Sequence, residues 1–389
     1  MKPLNFLLIA AVGLSVAACT RYQATSILLS KDPKQALKNA VINRPDIYKR
    51  NPMQLARDIE NVRKNFNSLI GFLKGEAGKE WGNDDVVIAN RTHYVKYTQN
   101  YKSRAIINFD NGEIIVESVV NDKNEDFLRN AIITTLLTPD DPRAVDLFSD
   151  KTAQLSGTPF LYKLVTDHNN RFVYTPEQAE EFSDVLLRDH VQNRTNNNNK
   201  HIRYVTLNMV KNHNDVRAMR YKDIVERYSK QFGISKSLVF AVIKTESNFN
   251  PFAVSNAPAY GLMQLVPTSG GRDAYMYVKG EDRTPDSHYL FNAENNIELG
   301  AAYLNIINSD YLKNIRHPIS REYCTIAAYN TGSGNVLRTF SSNREKAVDI
   351  INTLDPVQTY KRLRQELNSA EARRYLEKVT QARKEFINI

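Results

Sequence analysis

Two cysteines stand in the 389 residues, Cys19 and Cys324, and two thiols cannot supply a cysteine zinc cluster. The seven histidines, His93, His168 and His288 among them, show neither HExxH nor His-x-His spacing, so metal chemistry is not expected. A Walker or dinucleotide-binding glycine pattern is also lacking, and no cofactor is implied. There is no internal repeat of about twenty to fifty residues, which argues against a solenoid, and no low-complexity stretch. The uncharged apolar run from Leu4 to Ala18 is too short to span a bilayer comfortably.

What is present suits an exported protein of two domains. The chain is 42 % hydrophobic, apolar enough to bury a core in each. Lys2, the apolar run and the small residues before Cys19 have the build of a secretory signal. The stretch VAAC resembles the lipobox of bacterial lipoproteins, in which cleavage leaves the cysteine as a lipid-modified N-terminus; the alternative is a plain signal that ends near a cysteine. The expected leader is 1–18, followed by a lipid-anchored tether over 19–52. With Cys19 blocked, Cys324 has no partner, so no intramolecular disulfide is expected and Cys324 reads as a small buried hydrophobe. The formal charge of +9 suits an anionic polymer or an anionic membrane surface. Nucleic acid is an improbable partner for an exported chain without a recognisable binding motif. The densest basic run, KRLRQELNSAEARRYLEKVTQARK near the C-terminus, also holds glutamates and reads as a solvated helix face.

Periodicity divides the remainder. Leu55, Ile59, Val62, Phe66, Leu69 and Leu73 recur at intervals of three and four, predicting an amphipathic helix that ends near Gly75. RAIINFDNGEIIVESVV alternates in twos around Asp110-Asn111-Gly112, a hairpin signal because Asn-Gly accepts positive φ. DFLRNAIITTLL returns to helical spacing, and HIRYVTLNMV reads as a strand that completes the first sheet. The polar NRTNNNNK at 193–200 is then an internal loop rather than a linker. An α+β domain is expected over 53–212 and an all-α domain over 213–389. In the second, Tyr221, Ile224, Val225, Tyr228 and Phe232 form one stripe, Gly233 can cap its end, and Ser235 can cap the next helix. Asn250-Pro251 is expected to stop that helix.

That helix carries Glu246 on a stripe with Val239, Val242 and Ile243. Its neighbours at three and four residues, Val242, Ile243, Phe249 and Asn250, include no cation that would make a routine surface pair. A carboxyl desolvated in this way has a raised pKa and can donate a proton near neutral pH. The alternative is a helix-end glutamate that reaches water or an arginine from another segment.

ESNFNP at 246–251, GLMQ at 261–264, NIELGAAYL at 296–304 and AYNTGSGNV at 328–336 occur in the order and rough spacing of the lytic transglycosylase family related to goose-type lysozyme. EARRYLEKV at 371–379 is similar to that family's C-terminal tyrosine motif. With the lipobox and YVKYTQNYKSRAIINFDNG, the resemblance covers nearly the whole chain. It implies a lysozyme-like helical catalytic domain that cuts peptidoglycan glycan strands without water and leaves 1,6-anhydromuramoyl ends. Glu246 would be the single catalytic acid and then base. A second carboxylate, which a retaining or inverting hydrolase requires, is not evident: Glu298 and Glu322 stand outside the motif cores, and Asp273 lies beyond GLMQ. The resemblance assigns substrate contacts to Ser255, Gln264, Tyr329, Asn330 and Tyr375. Each has a structural alternative: a turn serine for Ser255, a helix cap for Asn330 and core packing for Tyr375. Met263 is expected to pack, and the role of Tyr260 stays open. Thr20 in place of aspartate agrees with the family's sorting to the outer membrane, facing the periplasm. A hydrolytic muramidase and a non-catalytic wall-binding lipoprotein remain the competing readings.

Overall fold

The computed structural model describes residues 52–119 and 125–389, with side chains from residue 60 onward and from 127 onward in the respective segments. The expected leader, Cys19 and the tether lie outside the described residues, as do the side chains of Leu55 and Ile59.

The first helix, α1 (Pro52–Trp81), places Phe66, Leu69 and Leu73 on the core. It does not end near Gly75, because Ala77 and Trp81 extend the same stripe by two further turns and bury fully. Trp81 fixes this extension by donating from Nε1 to the Tyr101 carbonyl at 2.6 Å. Beyond it, β1 (His93–Thr98), β2 (Ser103–Asn108), β3 (Glu113–Val119), β4 (Gln192–Thr195) and β5 (His201–Asn208) form one antiparallel sheet in the order β1-β2-β3-β5-β4. Register follows the period of two. Tyr94, Ile107, Ile114 and Leu207 lie side by side across four strands on one face, all buried.

The opposite face is also covered, so polar side chains on it are buried too. There Arg104 and Glu117, cross-strand partners, are 3 % and 5 % exposed and pair at 2.6 Å, with Arg194 adding a second contact to Glu117 at 3.0 Å. Arg104 stacks 3.9 Å above the Trp81 ring. The asparagine run is not wholly a loop: Asn193 and Thr195 belong to β4, and Asn196 turns the chain by accepting from the N–H groups of Asn198 and Lys200. Helices α2 (Glu125–Leu136) and α3 (Pro176–Asp189) complete this part, α3 opening on a capping box at Thr175.

From α4 (His213–Met219) onward the named elements are helical: α5 (Lys222–Phe232), α6 (Lys236–Ser247), α7 (Gly270–Lys279), α8 (Ser287–Phe291), α9 (Ala293–Ile306), α10 (Pro318–Thr331), α11 (Ser333–Arg338), α12 (Arg344–Thr353), α13 (Pro356–Glu366) and α14 (Ala370–Ala382). The α+β part followed by an all-helical part is what periodicity predicts. Gly233 ends α5 in the left-handed region, and the Ser235 hydroxyl accepts from Leu238 N–H at the start of α6.

The two parts are joined by buried contacts. Phe109, Phe160 and Phe252 pack edge to face at 5.6 and 5.4 Å, and Tyr94 meets Phe252 at 4.9 Å. Arg217 is fully buried in α4 and is held by neutral oxygens, donating to the carbonyls of Phe109 and Asn248 and to Asn214 Oδ1. Burial pushes its guanidinium down to about 10, so it stays charged at neutral pH. The hairpin loop over 109–112 explains this junction: it is longer than a two-residue turn, the β2–β3 pairing ends at Asn108 and Glu113, and the Phe109 carbonyl and Asp110 carboxylate accept from Asn248 of the helical part.

Candidate active site

Helix α6 is apolar on every side from Leu238 to Ile243, and each of those side chains is buried. A helix of this kind belongs in the interior, which carries its C-terminal residues inward with it. Glu246, the penultimate residue, is therefore only 6 % exposed. The helix stops at Ser247, earlier than Asn250-Pro251 predicts. Asn248 and Phe249 both take positive φ, 47° and 58°, a conformation that costs roughly 1 kcal/mol or more for each residue. Asn248 is held there by donating to the Phe109 carbonyl at 2.8 Å and to Asp110 Oδ1 at 3.1 Å. Phe249 is held by burial among Tyr221, Phe240 and Phe386.

Three further motifs converge on this helix end. Ser247 donates to the Leu262 carbonyl at 2.8 Å, tying α6 to GLMQ. Asn296, the first residue of NIELGAAYL, shapes that turn from below. Its Oδ1 accepts from Met263 N–H and its Nδ2 donates to the carbonyls of Tyr260 and Leu290, all at 2.8 Å. Gly300, one turn on, leaves room for Met263, since a Cβ there would run into the Met263 thioether. Tyr329, from AYN, donates to the Met263 carbonyl at 2.9 Å. Met263 therefore packs, as its type suggests, and its backbone is the shared anchor of three motifs.

The other predicted residues divide. Tyr375, on α14, is 4 % exposed and faces the Glu246 carboxyl closely enough to lower its pKa as a hydrogen-bond donor. Its Oη nevertheless completes no bond of normal geometry and is buried without a partner, so the two groups are apposed rather than locked. Gln264 is buried with its amide donor committed, Nε2 giving to the carbonyls of Ala253 and Gly261 at 3.0 Å, while its Oε1 accepts from nothing. Ser255 is engaged within its own loop, donating to the Ala257 carbonyl and accepting from Ala259 N–H, which is the turn alternative. Asn330 is half-buried near the end of α10 but does not cap it; Gly332 does. Cys324 is buried with a free thiol pushed up to about 12 by burial.

Burial pushes the Glu246 carboxyl up to about 7; Tyr375 and Arg91 pull it down less strongly, and Glu371 adds a smaller upward push. Two of these groups escape sequence reasoning. Arg91, just before β1, holds Nη1 3.7 Å from Glu246 Oε2. No local spacing links residues so far apart. Glu371, exposed at the start of α14, stands one turn before Tyr375 in the same closing motif, and that i, i+4 relation was a usable signal. The three acids considered earlier are committed elsewhere: Glu298 to Lys279 at 2.8 Å, Glu322 to Arg383, and Asp273 to the Tyr311 hydroxyl at 3.0 Å.

The helical part in which four motifs meet at the buried Glu246 is that of a lytic transglycosylase: the transglycosylase SLT domain family matches residues 223–352. The N-terminal domain family of membrane-bound lytic murein transglycosylase C matches residues 57–220. The chain is 44 % identical over 322 residues to membrane-bound lytic murein transglycosylase C of Cronobacter sakazakii, covering 82 % of this chain and 89 % of that one. It is 42 % identical over the same length to the protein of that name from Yersinia pestis, with the same coverage. The 70-kDa soluble lytic transglycosylase of Escherichia coli is similar at 25 % identity and TM-score 0.34, over 43 % of this chain and 24 % of that one. The chain belongs to the membrane-bound lytic murein transglycosylase C family.

Proposed function

We propose that the enzyme cleaves the β-1,4 bond between N-acetylmuramic acid and N-acetylglucosamine in peptidoglycan and closes the muramoyl end into a 1,6-anhydro ring. The observation that carries this reading is the Glu246 carboxyl, buried and raised to about 7. At that value it is present both as an acid able to protonate the glycosidic oxygen and, after donation, as a base able to take the C6 hydroxyl proton. With Glu298, Glu322 and Asp273 committed to Lys279, Arg383 and Tyr311, and Glu371 exposed, the substrate's own N-acetyl group would support the cationic sugar carbon. The unpaired Gln264 Oε1 suits a sugar N–H or hydroxyl donor, and Tyr329, Asn330 and Tyr375 would contact the reacting sugars. Ser255 would reach the substrate only by leaving its turn.

Residues 53–212 are assigned to an accessory domain and 213–389 to the catalytic domain. Cys19 is assigned as the lipidated N-terminus of a protein held at the outer membrane and facing the periplasm. In support, the relatives are called membrane-bound. Loss of radiolabelled palmitate incorporation in Cys19→Ser, expressed as the full chain, would bear this out; unchanged labelling would refute it.

Mass analysis of peptidoglycan digested by the purified, lipid-free protein tests the reaction. Products one water lighter than their hydrolysed counterparts, absent with Glu246→Gln, are expected. Reducing muramic acid ends would favour the hydrolase, and cleavage surviving in Glu246→Gln would remove Glu246 from its role.

A further inference from the structure

The N-terminal domain reaches the chemistry through one side chain whose position is fixed by its backbone. Asn90 folds a tight turn, its Oδ1 accepting from the N–H groups of Thr92 at 2.9 Å and His93 at 3.0 Å. Asn250, four residues past Glu246, donates from Nδ2 to the Arg91 carbonyl at 3.1 Å. The segment is thus sewn to the catalytic loop without help from the Arg91 guanidinium, which is left to face Glu246 at 3.7 Å with its side chain 41 % exposed.

The groups that face Glu246 are Tyr375 and Glu371 from α14, Tyr329 from α10 and Arg91 from the N-terminal domain. Among them Arg91 alone carries positive charge. The separation exceeds a normal hydrogen bond, and this suits a group that must hold a proton first and a negative charge later. A bidentate guanidinium would keep the carboxyl ionised and remove the acid. With no cation, the carboxylate left after proton donation would stand unpaired in an apolar site, a costly state.

We propose that Arg91 is a positioning residue of the transglycosylase reaction, supplying from the N-terminal domain the charge that steadies the Glu246 carboxylate between its two proton transfers. This rests on reading Glu246 as the acid and base. In the first transfer the Glu246 proton goes to the glycosidic oxygen, the C1–O bond breaks, and its electron pair leaves with the N-acetylglucosamine. In the second the C6 oxygen forms a bond to C1, and its proton returns to Glu246. Atoms and charge balance, and Arg91 exchanges no proton.

The test is the pH dependence of kcat/KM on peptidoglycan for the full-length, lipid-free wild type, Arg91→Ala and Arg91→Lys. A limb that falls toward alkaline pH reports loss of the protonated acid. Removing the cation should move that limb up by about half to one pH unit, a part-exposed arginine being screened, and should lower the acidic plateau about three- to tenfold because a weaker acid donates more slowly. Arg91→Lys should keep the limb near that of the wild type. A purely structural role would lower stability or raise KM without moving the limb, so an unmoved limb in Arg91→Ala overturns the proposal. Glu246→Gln, measured alongside, separates the two failures: an active Glu246→Gln sinks the reading of the site, whereas an inactive Glu246→Gln with an unmoved Arg91→Ala limb sinks only the role of Arg91.

Discussion

The side-chain amide of Asn248 donates to the Phe109 carbonyl at 2.8 Å, so the residue two positions past the buried Glu246 is held by a hairpin loop of the other domain. Arg217 donates to the same carbonyl at 2.7 Å, so Phe109 of the N-terminal domain anchors both α4 and the end of α6.

Replacing Asn248 separates backbone strain from the bond. Asn248→Ala loses the donor and puts a poorer left-handed residue at φ 47°, and should cost about 2 to 3 kcal/mol by denaturant melts. Asn248→Gly loses the bond but relaxes the backbone, and should cost about 1 kcal/mol less than Asn248→Ala. Equal losses in the two variants would mean that strain at this position is unimportant.

Gly300→Ala should disturb catalysis without touching a catalytic side chain. Its methyl would drive Met263 off the packing that aligns GLMQ and Tyr329. Overpacking of this kind costs about 1 to 3 kcal/mol. A lower melting temperature together with a deeper loss of kcat than of substrate binding is expected; wild-type kcat would show that the turn tolerates the shift.

Tyr375→Phe removes a buried hydroxyl that has no bond of normal geometry. Stability should therefore stay level or rise slightly in thermal melts. Because the hydroxyl lowers the Glu246 pKa, the alkaline limb of kcat/KM should shift upward. A marked loss of stability would show instead that the hydroxyl is bonded in the working enzyme.

Glu246 also links stability to pH. Its folded pKa of about 7 lies above the ordinary 4.5, so its contribution is fully present below about 4.5 and is lost as pH rises through 7. Glu246→Gln cannot titrate there. Its stability relative to wild type should rise by about 3 kcal/mol between pH 4 and pH 8, read from urea midpoints across that range. A flat difference would place the carboxyl in ordinary solvent.

Local pattern made much of this legible. The stripe of α6 and the four motifs pointed to Glu246, and period-two alternation revealed the central hairpin. What escaped depends on long-range contact. Gly75 looks like a helix end until Trp81 is seen to bury beneath the sheet, and Asn193 to Thr195 look like loop until β5 is there to pair with them. Helical spacing offers Glu246 no cation at three or four residues, whereas Arg91 arrives from another domain, its backbone held by Asn250. Ser255 matched its motif while its hydroxyl closes its own turn.

The central claim, that a buried acid stays half protonated near neutral pH, is tested most directly by 13C NMR titration of the Glu246 side-chain carboxyl, assigned by its loss in Glu246→Gln. A midpoint near 7 is the predicted result. A midpoint in the ordinary carboxylate range of about 4 to 4.5 would contradict it.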